Sequence, residues 1–274
     1  KMSDVTLSAA VRANLSSLQS TAEMMSSVQN KLATGKKVNS ALDNPNSFFT
    51  ASGLTSRAND LSTLLDDMGQ SVQTLKAADE GISSITKLVE SAKAKANQAL
   101  QSQSQYERKQ FASQYNELLT QIEDLAKDAG YKGKNLLGGT GNDLSVTFNE
   151  DGTSSLAISA VDFTDTTSST GLNLSDLATA TTGTATLAVT GTAATTLDST
   201  ANFSSGDVIT LTDANGSEVG SLTIDSSTTI ADLEALYDDV DGASAAFSSN
   251  TLTVTSEFKL TTSSSNSTPA DFTT

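Results

Sequence analysis

The sequence contains no cysteine, no histidine and no tryptophan. Their absence removes thiol chemistry, imidazole acid–base chemistry and the commonest transition-metal ligands. Any catalysis would rest on carboxylates, Lys, Ser and Tyr. Aromatic residues make up 5% of the 274 residues and hydrophobic residues 36%, lean for one large core and better suited to several thin modules. Basic residues run out early: of 16 Lys and Arg, only Lys259 follows Lys134, and the net charge is −16. Such a chain lacks the basic footprint that nucleic acid requires. No run is long and apolar enough to span a bilayer, and Lys1-Met2-Ser3-Asp4-Val5 leads into an amphipathic helix, not the apolar core of a signal peptide. The expectation is a chain with no nucleic-acid and no membrane partner, exported, if at all, outside the general secretory route.

What is present is helical periodicity. Leu54, Ala58, Leu61, Leu65, Met68, Val72, Leu75, Ile82, Ile85, Val89, Ala92, Ala96 and Leu100 step by fours and threes, with Ala78 halving the widest gap. This predicts a central helix roughly 70 Å long whose narrow apolar seam needs partner helices alongside. Leu7, Val11, Leu15, Leu18, Ala22, Met25, Val28 and Leu32 predict a first helix from about Thr6 to Ala33, ended by Gly35 as a left-handed cap. Residues 34–50, punctuated by Gly35 and Pro45 and carrying Phe48-Phe49, read as an ordered connector. Ser104 to Glu107 reads as a capping box opening a third helix along Phe111, Tyr115, Leu118, Ile122, Leu125 and Ala129 to Gly130. That helix folds back on the second but covers only part of it, so part of the seam is left for helices from elsewhere.

The period then changes. Leu144, Val146 and Phe148, a turn at 149–152, then Leu156 and Ile158 predict a β-hairpin. Residues 164–183 read as a linker with one short helical turn. Strands are expected at 185–189, 208–211 and 219–224, a helix opens at the capping box Thr229 to Asp232, and a second hairpin spans 245–247 and 251–254. Thr261 to Thr274 is pattern-free and expected to be unstructured. The predicted fold class is therefore α+β and multidomain: a long coiled-coil-like helical bundle, a β-hairpin and a small α+β outer module.

Clusters that could carry chemistry have plainer explanations. Asp238, Asp239 and Asp241 lack the alternate spacing and closing Glu of a calcium loop and read as a solvated helix end. Asp66-Asp67, Asp79-Glu80, Glu117, Glu123 and Asp124 lie on polar helix faces with no framed cleft. No Ser sits in a nucleophile-elbow setting. No enzyme, metal site or cofactor is expected.

The run Leu32-Ala33-Thr34-Gly35-Lys36-Lys37-Val38-Asn39-Ser40-Ala41-Leu42-Asp43-Asn44-Pro45, followed by Leu75-Lys76-Ala77-Ala78-Asp79-Glu80-Gly81-Ile82 in the long helix, resembles the N-terminal region of a bacterial flagellin. The resemblance covers residues 3 to about 140; Tyr131-Lys132-Gly133-Lys134-Asn135-Leu136-Leu137 is similar to the segment that ends the family's third helix, and residues 207–256 to the family's inserted outer modules. It implies an inner-tube helix at 1–35, a spoke connector at 36–50, a helical core with its hairpin at 51–163, a linker at 164–183, an outer module at 184–260 and an unstructured or truncated end at 261–274. It implies subunit packing through Leu7, Val11, Leu15, Leu18, Met25, Val28, Leu32, Leu54, Leu61, Leu65, Met68, Val72 and Leu75, with Gly35, Asn39, Asp43, Asn44, Pro45 and Phe48 shaping the spoke. The implied partners are other copies of the chain in a helical filament built for motility, a flagellar export chaperone, the type III export apparatus, and cap and junction proteins. The implied location is the extracellular flagellar filament, reached without a cleaved signal peptide. Flagellins end in C-terminal helices that pair with the N-terminal ones, and nothing after Gly141 has that length or period, so those helices are expected to be missing from this chain. The alternatives are a junction or cap protein of the same organelle, or an adhesive, glycan-binding outer module.

Overall fold

The computed structural model describes residues 8–266 and 272–274; Leu7 and the expected start of the first helix lie outside them. The fold is α+β, with three long helices followed by antiparallel sheets. The chain divides into two units, Lys1–Val72 with Ser145–Ala157, and Gln73–Leu144 with Ile158–Thr274.

In the first unit, α1 (Ala9–Thr34) starts at Ser8, whose hydroxyl accepts from the Val11 N–H, and ends at Gly35, which takes the left-handed conformation at φ 65°. Only glycine adopts that geometry without strain. The next helix, α2 (Pro45–Gln101), spans 57 residues and begins well before Leu54. The Asn44 side chain accepts from the Ser47 N–H at 3.1 Å, and Pro45 occupies the first helical position, where its missing N–H costs nothing. The connector therefore closes at Asn44, and Pro45 and Phe48 belong to the first turn of α2. The expected hairpin forms from β1 (Leu144–Thr147) and β2 (Ser155–Ile158). At its tip, Glu150 pairs with Arg57 of α2 at 2.9 Å.

In the second unit, α3 (Gln105–Asp128) starts at Ser104, whose hydroxyl accepts from the Glu107 N–H. The reciprocal half of the expected capping box is replaced: Ser102 Oγ accepts from the Ser104 N–H and lies 2.7 Å from the Glu107 carboxylate. The helix stops at Asp128 because Asn135 Nδ2 donates to the carbonyls of Ala126 and Lys127. Gly81 faces Ala129, and Lys95 sits 5.6 Å over the Phe111 ring, so α3 runs antiparallel to α2. The buried positions of α3 are Ala112, Tyr115, Leu119, Ile122 and Ala126, one step round from the Leu118 stripe. On this part of α2 they are Thr74, Ala78, Gly81, Ile85 and Ala92, while Leu75 and Ile82 stay exposed. Small residues at Ala78, Gly81 and Ala92 allow close approach, Ile85 is the one bulky residue buried among them, and Leu75 and Ile82 turn outward.

Gly81 makes this contact testable. A methyl group there would lie 2.7 Å from Ala129 Cβ and 2.9 Å from Leu137 Cδ1, whereas one at Gly69 would meet nothing within 4 Å. Gly69→Ala should stabilise the chain by about 0.5–1 kcal/mol through lower unfolded-state entropy. Gly81→Ala should destabilise it by about 1–2 kcal/mol, overpacking outweighing the same gain. Urea unfolding of the two variants checks the opposite signs.

Residues 164–183 form no helical turn. They are fastened along α3 instead: Glu123 accepts from both the N–H and the hydroxyl of Thr166 at 3.0 Å, and Asn116 exchanges two hydrogen bonds with Leu177. Glu123 is thus a structural acceptor and not part of a solvated face. Beyond them lie a three-stranded sheet and a four-stranded sheet. The first, in the order β3-β7-β6, uses β3 (Gly183–Ala188), β6 (Ala243–Ser248) and β7 (Thr251–Ser256). The second, in the order β5-β4-β8-β9, uses β4 (Val208–Thr212), β5 (Glu218–Thr223), β8 (Thr261–Ser264) and β9 (Phe272–Thr273). The segment expected to be unstructured therefore supplies two strands, because β4 offers a free edge to Thr261–Ser264 and the buried Thr262 hydroxyl meets the Tyr237 hydroxyl at 2.9 Å. Burial pushes the Tyr237 phenol up to about 12.

The helix α4 (Ile230–Asp238) opens on the expected capping box of Thr229 and Asp232. Its Glu234 and Asp238 carboxylates accept from the N–H groups of Phe247 and Ala245 on the edge strand β6, so Asp238, exposed at the helix end as expected, also covers that edge. Phe203, Leu211, Leu233, Tyr237, Leu252 and Phe258 are among the residues that form the core. Tyr106 of α3 packs against that core and beneath Gly242, and Lys109 pairs with Glu257 at 3.3 Å.

The loop before α4 carries a pH signature. Asp225 accepts from the hydroxyl and N–H of Ser227 and from Thr228, and these bonds hold its carboxyl down to about 2. A value below the ordinary 3.8 means that the ionised form favours the fold. Its contribution is complete above the ordinary value and is lost as pH falls from there to about 2. NMR titration should place the Asp225 midpoint near the lower value, and Asp225→Asn should remove that portion of the acid dependence.

Candidate functional site

The largest unexplained feature is apolar surface. No described residue of α1 is buried, and Val11, Leu15, Leu18, Met25, Val28 and Leu32 all stand exposed, Leu32 to 83%. On the first part of α2, Leu54, Leu61, Leu65 and Val72 are exposed, and Met68 is half-buried. In the second unit the same helix leaves Leu75, Ile82 and Leu100 uncovered. Scattered exposed leucines are ordinary, whereas stripes of them at helical spacing form contiguous apolar surface that calls for an explanation.

Met24, Leu42 and Phe49 are also exposed and were not among the residues expected to pack, Leu42 to 95%. Met24 lies beside Met25, off the stepping of threes and fours, and Leu42 sits in a turn with no period to mark it. Phe49 stands edge-to-face with Phe48, ring centres 5.7 Å apart, and is the more exposed of the two.

The connector between α1 and α2 is held by its own polar side chains. Thr34 Oγ1 lies 2.8 Å from the Asn39 side-chain oxygen and accepts from the Lys36 N–H. Asp43 Oδ2 accepts from the N–H groups of Asn39 and Ser40 at 3.0 and 3.2 Å, which lowers its carboxyl below the ordinary range. Gly35, Asn39, Asp43 and Asn44 therefore shape the turn directly, and Pro45 and Phe48 launch the helix that follows. The turn frames a cleft of about 610 Å³ between Lys36, Lys37, Asn39 and the Ser47, Phe48, Thr55 face of α2. Asp43, Asp165, Asp225 and Asp232 all have lowered carboxyl pKa values, and each is engaged in holding a local turn or cap by hydrogen bonds. Of Phe203, Tyr237, Phe247 and Phe258, the aromatics a glycan-binding face would need, Phe203, Tyr237 and Phe258 are buried and Phe247 is half-buried against the same core.

A model of the bacterial flagellin N-terminal helical region matches residues 5–142. Flagellin FljO of Caulobacter vibrioides is 30% identical over 139 residues, 50% of this chain and 51% of that protein. A flagellin of Brucella melitensis is 27% identical over 132 residues, covering 48% and 46%. Flagellin B of Helicobacter pylori is 25% identical over 133 residues, covering 48% and 26%. The chain thus spans about half the length of the first two relatives and about a quarter of the third. The matched region is the one that carries α1, the Asn39–Asp43 turn, the long α2 and the Gly81 contact, and on that match the chain belongs to the bacterial flagellin family.

Proposed function

We propose that this protein is a structural subunit of the flagellar filament, polymerising through its uncovered helix faces to build the extracellular propeller of motility. The observation that carries the reading is the continuous exposure of apolar residues on α1 and on the first part of α2. Isolated, these faces are a liability; in a polymer they are buried against further helices, and a repeated heterologous contact of this kind builds an open filament. In this assignment α1 lines the inner tube through Val11, Leu15, Leu18, Met25, Val28 and Leu32, and Gly35–Asn44 is the spoke. The outer tube is built by α2, α3 and the hairpin, with Leu54, Leu61, Leu65, Met68, Val72 and Leu75 at its contacts. The module from Gly183 onward faces solvent and works as structure, without catalysis. Export in an unfolded state through a flagellar type III apparatus, with a chaperone guarding the apolar stripes, and contacts to cap and junction proteins follow from the same assignment.

The test is seeded growth. The full-length product of the gene, added to sheared filament seeds, should elongate them into filaments of uniform diameter. Failure to elongate, or addition only as a terminal cap or a short junction, would overturn the reading.

A further inference from the structure

The geometry points to the free edge of β3 as a self-pairing site, where the outer module docks on the β3 strand of a second copy of this chain in an antiparallel, two-fold arrangement. The direction of its backbone groups follows from the register. Val189 donates its N–H to the carbonyl of Asn250, continuing the β3–β7 ladder one pair beyond Ala188 and Thr251. Bonded and non-bonded pairs alternate in an antiparallel ladder, so Leu187, Ala185 and Gly183 bond to β7, and Thr184, Thr186 and Ala188 point their N–H and C=O groups outward. The Asn202 side chain donates to the Ala188 carbonyl from that outer side, in agreement. Among the described residues, the outward groups of Thr184 and Thr186 meet no partner.

The other edges are defended. Glu234 and Asp238 cap β6, β5 carries Glu218 and faces a register shift in β4, and β9 is only two residues long. Charge, irregularity and shortness are the usual protections against strand addition. The β3 edge has none of them; Asn202 takes the Ala188 carbonyl and the Thr274 backbone lies against Gly183, so the open stretch is Thr184–Thr186. It lies in the stretch between Asp176 and Asp198, which contains no charged residue, although the chain beyond Lys134 holds a single base, Lys259, against many carboxylates. Two identical acidic modules repel wherever carboxylates face each other, and this edge is where they can meet without doing so.

A second copy fits it in one register. Pairing Thr184 with Thr186 of the partner satisfies the outward N–H and C=O groups of both residues on both strands. It places Ala185 opposite its own counterpart on the two-fold axis, a non-bonded pair where the strands come closest and a small side chain is needed. Leu187 then faces the partner's Gly183, and the threonines form cross-strand Thr–Thr pairs.

The chain has no native cysteine, so Ala185→Cys introduces its only thiol. In this register the two Cα atoms lie about 4.5 Å apart, within disulfide reach. Under mild oxidation, full-chain A185C should give a reductant-sensitive dimer about tenfold faster than S221C, a thiol placed on the defended β5 edge. Adding T186K to A185C should return the rate to that of S221C, because the long charged side chain displaces the Thr–Thr contact with the partner's Thr184 and lies diagonally across the pair from its own copy, within reach of a like charge. On the unaltered chain, amide exchange at Thr184 and Thr186 should slow as protein concentration rises, a readout that survives misfolding of any variant. Equal rates for the two thiols, indifference to T186K, or exchange independent of concentration would each overturn the pairing. The inference rests on the module alone, so its failure leaves seeded filament growth untouched, and failed growth leaves the cross-link intact.

Discussion

Replacing Leu137 with alanine should destabilise the second unit by about 2–5 kcal/mol, the range for large-to-small changes at fully packed sites. Leu137 is 1% exposed, and its Cδ1 lies over Gly81 of α2, which has no side chain of its own to fill the space. The surrounding backbone is pinned as well. The Leu137 N–H donates to Asn135 Oδ1, the same amide caps the end of α3, and the Leu137 carbonyl accepts from Phe163. A site that cannot collapse keeps its cavity, which puts the expected cost in the upper part of that range. Urea unfolding followed by far-ultraviolet circular dichroism measures it; a lower midpoint with an unchanged slope is the expected form. A loss below about 1 kcal/mol would mean that the loop after α3 is not what holds it against α2. Asn135→Ala should cost less, about 1–3 kcal/mol, since it exposes polar backbone without opening a hole.

The three long helices were legible in the sequence because each carries an apolar stripe at helical spacing over many turns. Which neighbouring column is buried was not. Leu118 and Leu119 in α3, or Leu75 and Ala78 in α2, are all apolar, and the choice is made by the partner. The column with most of the small residues, Ala78, Gly81 and Ala92 with Ile85 among them, permits closest approach, so the column of Leu75 and Ile82 is turned outward. The start of α2 was misplaced because Asn44-Pro45 reads equally as a loop breaker and as a helix opening, and only the Asn44–Ser47 hydrogen bond decides. Strand β8 was invisible for another reason. Thr261–Ser264 has no apolar alternation, and its pairing is supplied entirely by β4 and by the Tyr237 hydroxyl. The uncovered apolar stripes were legible as an excess of seam over partner helices, whereas the exposure of Met24, Leu42 and Phe49 was not, because no period marks them.

Leu65→Glu should leave the isolated subunit nearly unchanged and prevent its addition to filament seeds. Leu65 is 67% exposed, Leu and Glu have nearly equal helix propensity, and the exchange should alter subunit stability by no more than about 0.5 kcal/mol. In a filament that buries this face, the same carboxylate would be desolvated without a partner, a cost of about 3–5 kcal/mol for each subunit interface. At 1.4 kcal/mol for each factor of ten, the critical concentration for growth should rise on the order of a hundredfold or more. Thr63→Glu is the control. Two residues away along α2 is about 200° round the helix, so the added charge there faces away from the Leu61, Leu65, Val72 stripe. Thr63 is exposed as well, so both variants gain one carboxylate at a solvent-facing position of the same helix, and any general effect of net charge on growth is shared. Seeded elongation measured by light scattering across subunit concentrations separates them: T63E should grow at close to the unaltered rate, and L65E should not grow at concentrations where T63E does. Equal growth of the two would remove Leu65 from the interface. Loss of growth in L65E accompanied by loss of helix content would instead mean that the face is needed for the subunit fold, contrary to its exposure.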